Sequence, residues 1–172
     1  MTTPFTAAEI RTAVEALASR PLIRLITEID DNGAIPPRRL AATLPDLPTH
    51  NLRAATETAR THGLVRTAPG AGLELTPSGE ELADVYDAAA RWSRRHACPA
   101  PICELTHRVR HVLEQLAPEI AGESTQGSAC PSAAHRPDAA PEAELAGPRA
   151  LLLQWLVGNP QLTWLPTSEP LA

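Results

Sequence analysis

The chain has no lysine: all 15 of its basic residues are arginine. It also has no N-terminal stretch that joins a charged start to an apolar core, and no apolar run near the roughly 20 residues that would span a bilayer. A cytoplasmic location without membrane contact is therefore expected. Cys98, Cys103 and Cys130 are an odd number, so no disulfide framework is implied and a reducing compartment fits. Phosphate-cradling glycine loops, a G-x-S-x-G elbow and a credibly placed pair of acids are all missing, and Gly70-Ala71-Gly72 reads as a turn. These absences point away from an enzyme and imply no cofactor.

With 172 residues, 43% of them hydrophobic, the chain can bury a core within one medium domain or a small domain with appendages. Its net charge of −5 argues against a protein that coats nucleic acid indiscriminately. Charge is unevenly placed, however. Between Ala34 and Gly72 five arginines (Arg38, Arg39, Arg53, Arg60, Arg66) face Asp46 and Glu57, a balance of +3, whereas from Cys98 onward four arginines face eight acids. A locally basic segment on an acidic remainder suits a specific reader of nucleic acid.

That basic segment carries the most informative pattern. Leu40 and Leu44 share a helical face, and Pro45 stops their helix, predicting about two turns. Asp46 to Pro48 form a turn, and Thr49 is placed to cap a second helix starting near His50. Along that helix Leu52, Ala55, Thr56 and Ala59 recur on the packing side, while His50, Asn51, Arg53, Ala54, Glu57 and Arg60 fall on the other. Gly63 suits a helix exit. Leu64 to Thr67 and Leu73 to Thr76 then bracket the turn residues 68–72, predicting a hairpin.

Two short helices followed by a hairpin is the order of a winged helix-turn-helix, and the residues resemble the HxlR-type family of bacterial winged-helix transcriptional regulators, with MarR-type and PadR-type regulators as more distant relatives. Leu40, Leu44, Pro45 and Leu47 resemble the family's L-x-x-x-L-P-x-I/L run, Leu52 the first buried position of its recognition helix, Gly63-Leu64-Val65 its helix exit, and Leu75-Thr76-Pro77-Ser78-Gly79 its L-T-P-x-G. Leu82, Ala90 and Trp92 stand where its following long helix carries apolar residues. The resemblance spans roughly residues 20 to 96 and implies a DNA-binding dimer in which that long helix contributes to the dimer. Thr56 and Ala59 stand where leucines are usual, which predicts a less firmly packed recognition helix. Glu57 replaces a commonly basic residue; there it would repel phosphates, or accept from a cytosine amino group if it reached a base edge. The family's N-terminal cysteine is absent, so thiol sensing by that route is not implied. Winged helices also open many small-molecule methyltransferases, but no nucleotide-binding βαβ unit follows here.

Flanking elements complete the expected fold. Ala7 to Leu17 carries Ile10, Val14 and Leu17 on one face, with Thr6 and Glu9 as a capping pair. Pro21 opens a second helix whose Leu22, Ile23, Leu25, Ile26 and Ile29 make it the central core element, ended by Asp30-Asp31-Asn32-Gly33. A long helix from Pro77 to Arg95, capped by Thr76 or Ser78, aligns Leu82, Val85, Tyr86, Ala89 and Trp92. Ile102 to Ala117 forms another, with Leu105, Val109, Val112, Leu113 and Leu116 as an apolar face suited to dimerisation. Residues 121 to 143 read as a flexible linker. Beyond it, Pro148 to Val157 is a short apolar helix that must dock on its own domain or on a partner. The expected class is mostly α with a small β-hairpin: a winged helix-turn-helix domain over 1–96, a helix over 97–120, a linker over 121–143, and a C-terminal apolar helix and tail over 144–172.

On this reading a homodimer sets the helix over 49–62 in successive major grooves of double-stranded DNA and lays the wing over 64–76 along the flanking backbone. Asn51 and Arg53 are the candidates for base contacts, Arg38, Arg39 and Arg66 for phosphates, with Thr49, His50 and Arg60 beside them. His96, Cys98, Cys103, His107 and His111 have ligand chemistry, but H-x-C-x4-C-x3-H-x3-H matches no zinc-site pattern, so no metal is assigned. The competing class is a protein-interaction module built on the same winged helix without DNA contact. A small-molecule or protein effector is left open.

Overall fold

Thr6 opens the first helix, α1 (Ala7–Leu17), through a capping box: its hydroxyl accepts from the Glu9 N–H at 3.2 Å, and the Glu9 carboxylate accepts from the Thr6 N–H at 2.6 Å. The Thr6 backbone N–H, and after it the Thr6 hydroxyl, hold the Glu9 carboxyl below its ordinary pKa. The structure is a computed structural model, described here for residues 5–96, 104–122 and 141–162. Its elements follow as α2 (Arg20–Asn32), α3 (Leu40–Thr43), α4 (Thr49–Thr61), β1 (Val65–Ala68), β2 (Gly72–Leu75), α5 (Pro77–His96), α6 (Leu105–Ile120), α7 (Pro141–Gly158) and a short 3-10 turn at Pro160–Leu162. The fold is mostly helical with one small antiparallel sheet. No described helix is long and apolar enough to cross a membrane.

The second helix is the central strut, as its apolar pattern predicts. Leu22, Ile23, Leu25 and Ile26 are fully buried, and α2 packs against α4, α5, α6 and β2. Gly33 ends it with a φ of 79°, a conformation costly for other residues. Tyr86 of α5 lies wholly within the core and donates its hydroxyl to the Leu17 carbonyl at 2.7 Å. In a continuous helix that carbonyl would take the N–H of residue 21, but residue 21 is proline, so Tyr86 supplies the missing donor.

The third helix is one turn, not two. Residues 37–39 form a turn closed by the Arg39 N–H on the Pro36 carbonyl at 2.8 Å, so helical bonding begins only at Leu40. Pro48, not Thr49, is the N-cap of α4: its backbone is extended and its carbonyl accepts the Leu52 N–H at 3.0 Å, which takes Thr49 into the first helical turn with no capping bond. Each strand lies one residue nearer the turn than expected, and the ladder pairs Val65 with Leu75, Arg66 with Glu74, Thr67 with Leu73 and Ala68 with Gly72. Ile35 adds a single bridge to its far edge, exchanging both backbone bonds with Leu73 at 2.8 and 2.9 Å. Gly72 makes that bridge feasible, since a Cβ there would lie 2.4 Å from the Ile35 carbonyl oxygen.

The two late helices return to the same core. The α6 residues Val109, Val112, Leu113 and Leu116 are fully buried among α1, α2 and α5, so the apolar face expected to dimerise is already occupied by its own chain. It runs on to Ile120 beyond Pro118, because Ile120 is buried too. Helix α7 starts at Pro141, seven residues before the predicted start, and includes Pro148; the expected linker therefore loses residues 141–143 to helix, and 123–140 lie outside the described residues. Leu145, Leu152, Trp155 and Leu156 seat α7 mainly on α5, and each large side chain buried in this way is worth about 1.5–3 kcal/mol.

Candidate nucleic-acid interface

Helix α4 is held by a face that is small and partly polar yet buried throughout: Leu52, Ala55, Thr56 and Ala59. The Thr56 hydroxyl donates to the Leu52 carbonyl at 2.8 Å, so the threonine that replaces a leucine brings no unsatisfied group into the core. This face packs against α2.

The opposite face is a stripe of exposed His50, Arg53, Ala54, Glu57, Arg60 and Thr61, at the three- and four-residue spacing of one helical side. Asn51, predicted to face outward, is half-buried at the margin of this stripe, which leaves Arg53 as the more accessible of the two base-contact candidates. Thr49 is exposed at the helix start, where the first backbone N–H groups have no partner within the helix.

Four hydrogen bonds fix how the hairpin meets α4. Arg60 leans across to the Thr67 hydroxyl at 3.5 Å. The Leu64 N–H bonds the Ala59 carbonyl at 2.8 Å, and Thr76 closes the loop, its N–H on the Leu64 carbonyl at 2.9 Å and its hydroxyl on the Gly63 carbonyl at 2.6 Å. That hydroxyl also accepts the Gly79 N–H, which settles the cap of α5 on Thr76 rather than Ser78. Gly79 itself must lack a side chain, because a Cβ would sit 2.1 Å from the Leu64 carbonyl oxygen. From the other side, Trp155 of α7 donates to the Ser78 carbonyl at 2.9 Å and Gln161 to the His62 carbonyl at 3.5 Å. His62 is buried, and burial lowers its pKa.

Charge is sorted among these elements. Asp46, in the turn before α4, faces α2, where Arg24 approaches through two nitrogens at 3.3 and 3.4 Å and Arg20 at 3.5 Å. The Arg24 hydrogen bond is the main reason its carboxyl lies below the ordinary range. Arg20 also reaches Glu104 just ahead of α6 at 3.4 Å. Arg66 on β1, predicted for a phosphate, is paired across the hairpin with Glu74 at 2.6 Å, a contact that follows from the 66–74 register. Among the described residues, Arg38, Arg39 and Arg53 are exposed and form no ion pair, so they keep their positive charge available.

Behind the hairpin lies a groove of about 310 Å³ lined by Asp30, Gly33, Arg66, Glu74 and Glu80. Asp30 has a raised pKa, first from partial burial and then from the nearby charges of Asp31, Asp84, Glu80 and Asp87. This side of the molecule is acidic, in contrast to the α4 stripe.

Of the five residues with ligand chemistry, Cys98 and Cys103 lie outside the described residues. His96 stacks on Trp92 with ring centroids 4.6 Å apart, while His107 and His111 sit one turn apart on α6. Among the described residues no three His, Cys, Asp or Glu side chains are grouped to hold a metal ion. The chain matches no protein-family model, no curated protein and no solved structure.

Proposed function

We propose that this chain is a sequence-specific, DNA-binding transcriptional regulator of winged helix-turn-helix type, with α3 and α4 as the helix-turn-helix and β1–β2 as the wing. The observation that carries this reading is the exposed stripe of α4, with Arg53 unpaired on it and Arg60 linking it to a hairpin that bears Arg66. A helix of 13 residues spans about 20 Å, enough to lie along a major groove with its N-terminal half at the base edges. Arg53 would read guanine by two-pronged contact, with Asn51 at the edge of the same surface toward adenine. Arg38, Arg39, His50, Arg60 and Arg66 would contact phosphates, together with Thr49 and the free N–H groups at the α4 start. A homodimer would favour an inverted-repeat operator; with the α6 face buried in its own chain, another surface must supply the contact.

The test is fluorescence anisotropy of the protein against its own upstream DNA and a scrambled duplex, each at two salt concentrations. Preference for the native duplex is expected, with Arg53→Ala relaxing it at one base pair and Arg66→Ala weakening both duplexes alike. Equal losses on both duplexes for both variants would contradict that division of labour. A second reading, a protein-interaction module, is favoured by one feature: Leu151 and Val157 of α7 are 38% and 57% exposed, an apolar surface that a protein partner would cover. Absence of any duplex binding would favour it.

A further inference from the structure

Three carboxylates stand in the segment from α3 through the hairpin, and two of them are matched: Asp46 by Arg20 and Arg24, Glu74 by Arg66. Glu57 is the third. It is fully exposed in the middle of the α4 stripe and has no ion pair among the described residues, although arginines stand four residues before it and three after. The first does not close on it, although Arg24 with Glu28 and Arg110 with Glu114 do so at the same spacing and in the same order. Arg60 explains the second, since it is turned away to Thr67.

A carboxylate held there repels every phosphate it approaches, so it lowers affinity for all duplexes unless a base compensates. It is an acceptor only. In the major groove two base edges offer amino donors, cytosine N4 and adenine N6, and the adenine amino group has the acceptor N7 beside it, which repels a carboxylate. Cytosine has no such neighbour. Resting on the DNA-reading function above, we propose that Glu57 is a base-reading residue that accepts from the N4 amino group of a cytosine and so specifies a C·G pair near the guanine read by Arg53. Four residues of helix advance about 6 Å and successive base pairs about 3.4 Å, so the two readings fall one or two pairs apart.

The test selects binding sites from a randomised duplex library with the full-length protein and its Glu57→Gln and Arg53→Ala variants, then measures the enriched duplex and its single-pair substitutions by anisotropy. Both positions are exposed, so helical content by circular dichroism should match across all three proteins. The wild-type pool is expected to carry a cytosine worth about tenfold in affinity, one or two pairs from the guanine that Arg53→Ala loses. Glu57→Gln should keep that guanine but exchange the cytosine preference for adenine, whose N6 and N7 a glutamine amide can bond together. This is a gain that loss of a repulsive charge cannot produce. If Glu57→Gln instead binds every duplex more tightly and selects the wild-type motif, Glu57 is only a repelling charge and the proposal falls while the DNA-reading function stands. If the wild-type protein enriches no motif and binds no duplex, both fall.

Discussion

Tyr86 offers a sharp test of how the helices are packed, because it is the only tyrosine in the chain. Its hydroxyl is wholly buried and is the donor that replaces the N–H denied to the Leu17 carbonyl by Pro21. Burial raises its pKa far above the ordinary tyrosine value. In the folded chain the phenol therefore stays protonated, while in the unfolded chain it ionises near pH 10. Its contribution to stability is full below about pH 10 and declines above it by about 1.4 kcal/mol for each pH unit, because there only the unfolded state releases the proton. Tyrosinate absorbance at 295 nm reads this one residue, and with no lysine in the chain no ammonium group titrates across the same range. The rise at 295 nm should coincide with loss of the far-ultraviolet helical signal and lie well above pH 10. Tyr86→Phe keeps the ring and removes the donor, leaving the Leu17 carbonyl buried and unpaired at a cost of about 1–3 kcal/mol. Each kcal/mol lowers the melting temperature by about 2–4 °C in a chain of this size. A smooth titration centred near pH 10 with helicity intact, or a Tyr86→Phe variant as stable as the parent, would refute the packing of α1, α2 and α5 around this residue.

Other consequences follow from single contacts. Gly72→Ala should cost more than about 2 kcal/mol, since its φ of 113° is strained for alanine and the new Cβ meets the Ile35 carbonyl; Gly70→Ala, at φ 80° with open space around it, should cost only about 1 kcal/mol by urea denaturation. Similar losses for both would contradict the Ile35 bridge. Trp155→Ala should lower stability by about 3–5 kcal/mol or release α7 from α5, whereas Leu151→Ser, on the exposed side, should stay within about 0.5 kcal/mol. An unchanged denaturation midpoint for Trp155→Ala would mean that α7 does not dock on α5. Glu74→Gln should free Arg66 for phosphate and steepen the dependence of duplex affinity on salt by about one counterion. The ion pair itself is exposed and worth only about 0.2–1 kcal/mol, so the thermal midpoint should barely move. An unaltered salt slope, together with an Arg66→Ala variant that binds duplexes as the parent does, would remove Arg66 from the phosphate contacts.

Periodicity made much of this fold legible. The buried residues of α4 are the four expected, and α1, α2 and α5 keep nearly the expected bounds because caps and apolar spacing agree there. What sequence could not fix has definite physical causes. A stripe such as Val109, Val112, Leu113 and Leu116 looks the same whether it meets a partner or its own chain, and only the tertiary structure shows that α1, α2 and α5 cover it. Turn residues locate a hairpin but not the ends of its strands. The ladder here extends to Gly72, whose positive φ lets the strand continue, and Leu64 leaves it to bond the Ala59 carbonyl. The expected strands already set Arg66 opposite Glu74, and assigning Arg66 to a phosphate overlooks that cross-strand partner. A lone bridge residue such as Ile35 has no strand pattern at all.

Net charge is the wrong quantity by which to judge the proposed interface. The total of −5 is an acidic sum, but at 0.1 M salt charges more than about 10 Å apart scarcely act on each other across solvent, so each side of the molecule presents its own field. Asp46 and Glu74 are neutralised by arginines, while the pKa of Asp30 is raised first by partial burial and then by the charges of Asp31, Asp84, Glu80 and Asp87 gathered around it behind the hairpin. On the proposed function, a duplex is therefore repelled from that side and admitted along α4, where Arg38, Arg39 and Arg53 are unpaired among the described residues. The acidic side then restricts the ways a duplex can dock, which suppresses binding to arbitrary sequence and leaves base contacts a larger share of the affinity. On the same proposal one carboxylate on the α4 stripe would be tolerable, because its repulsion would fall on every duplex alike while its hydrogen bond would fall only on those with cytosine in register.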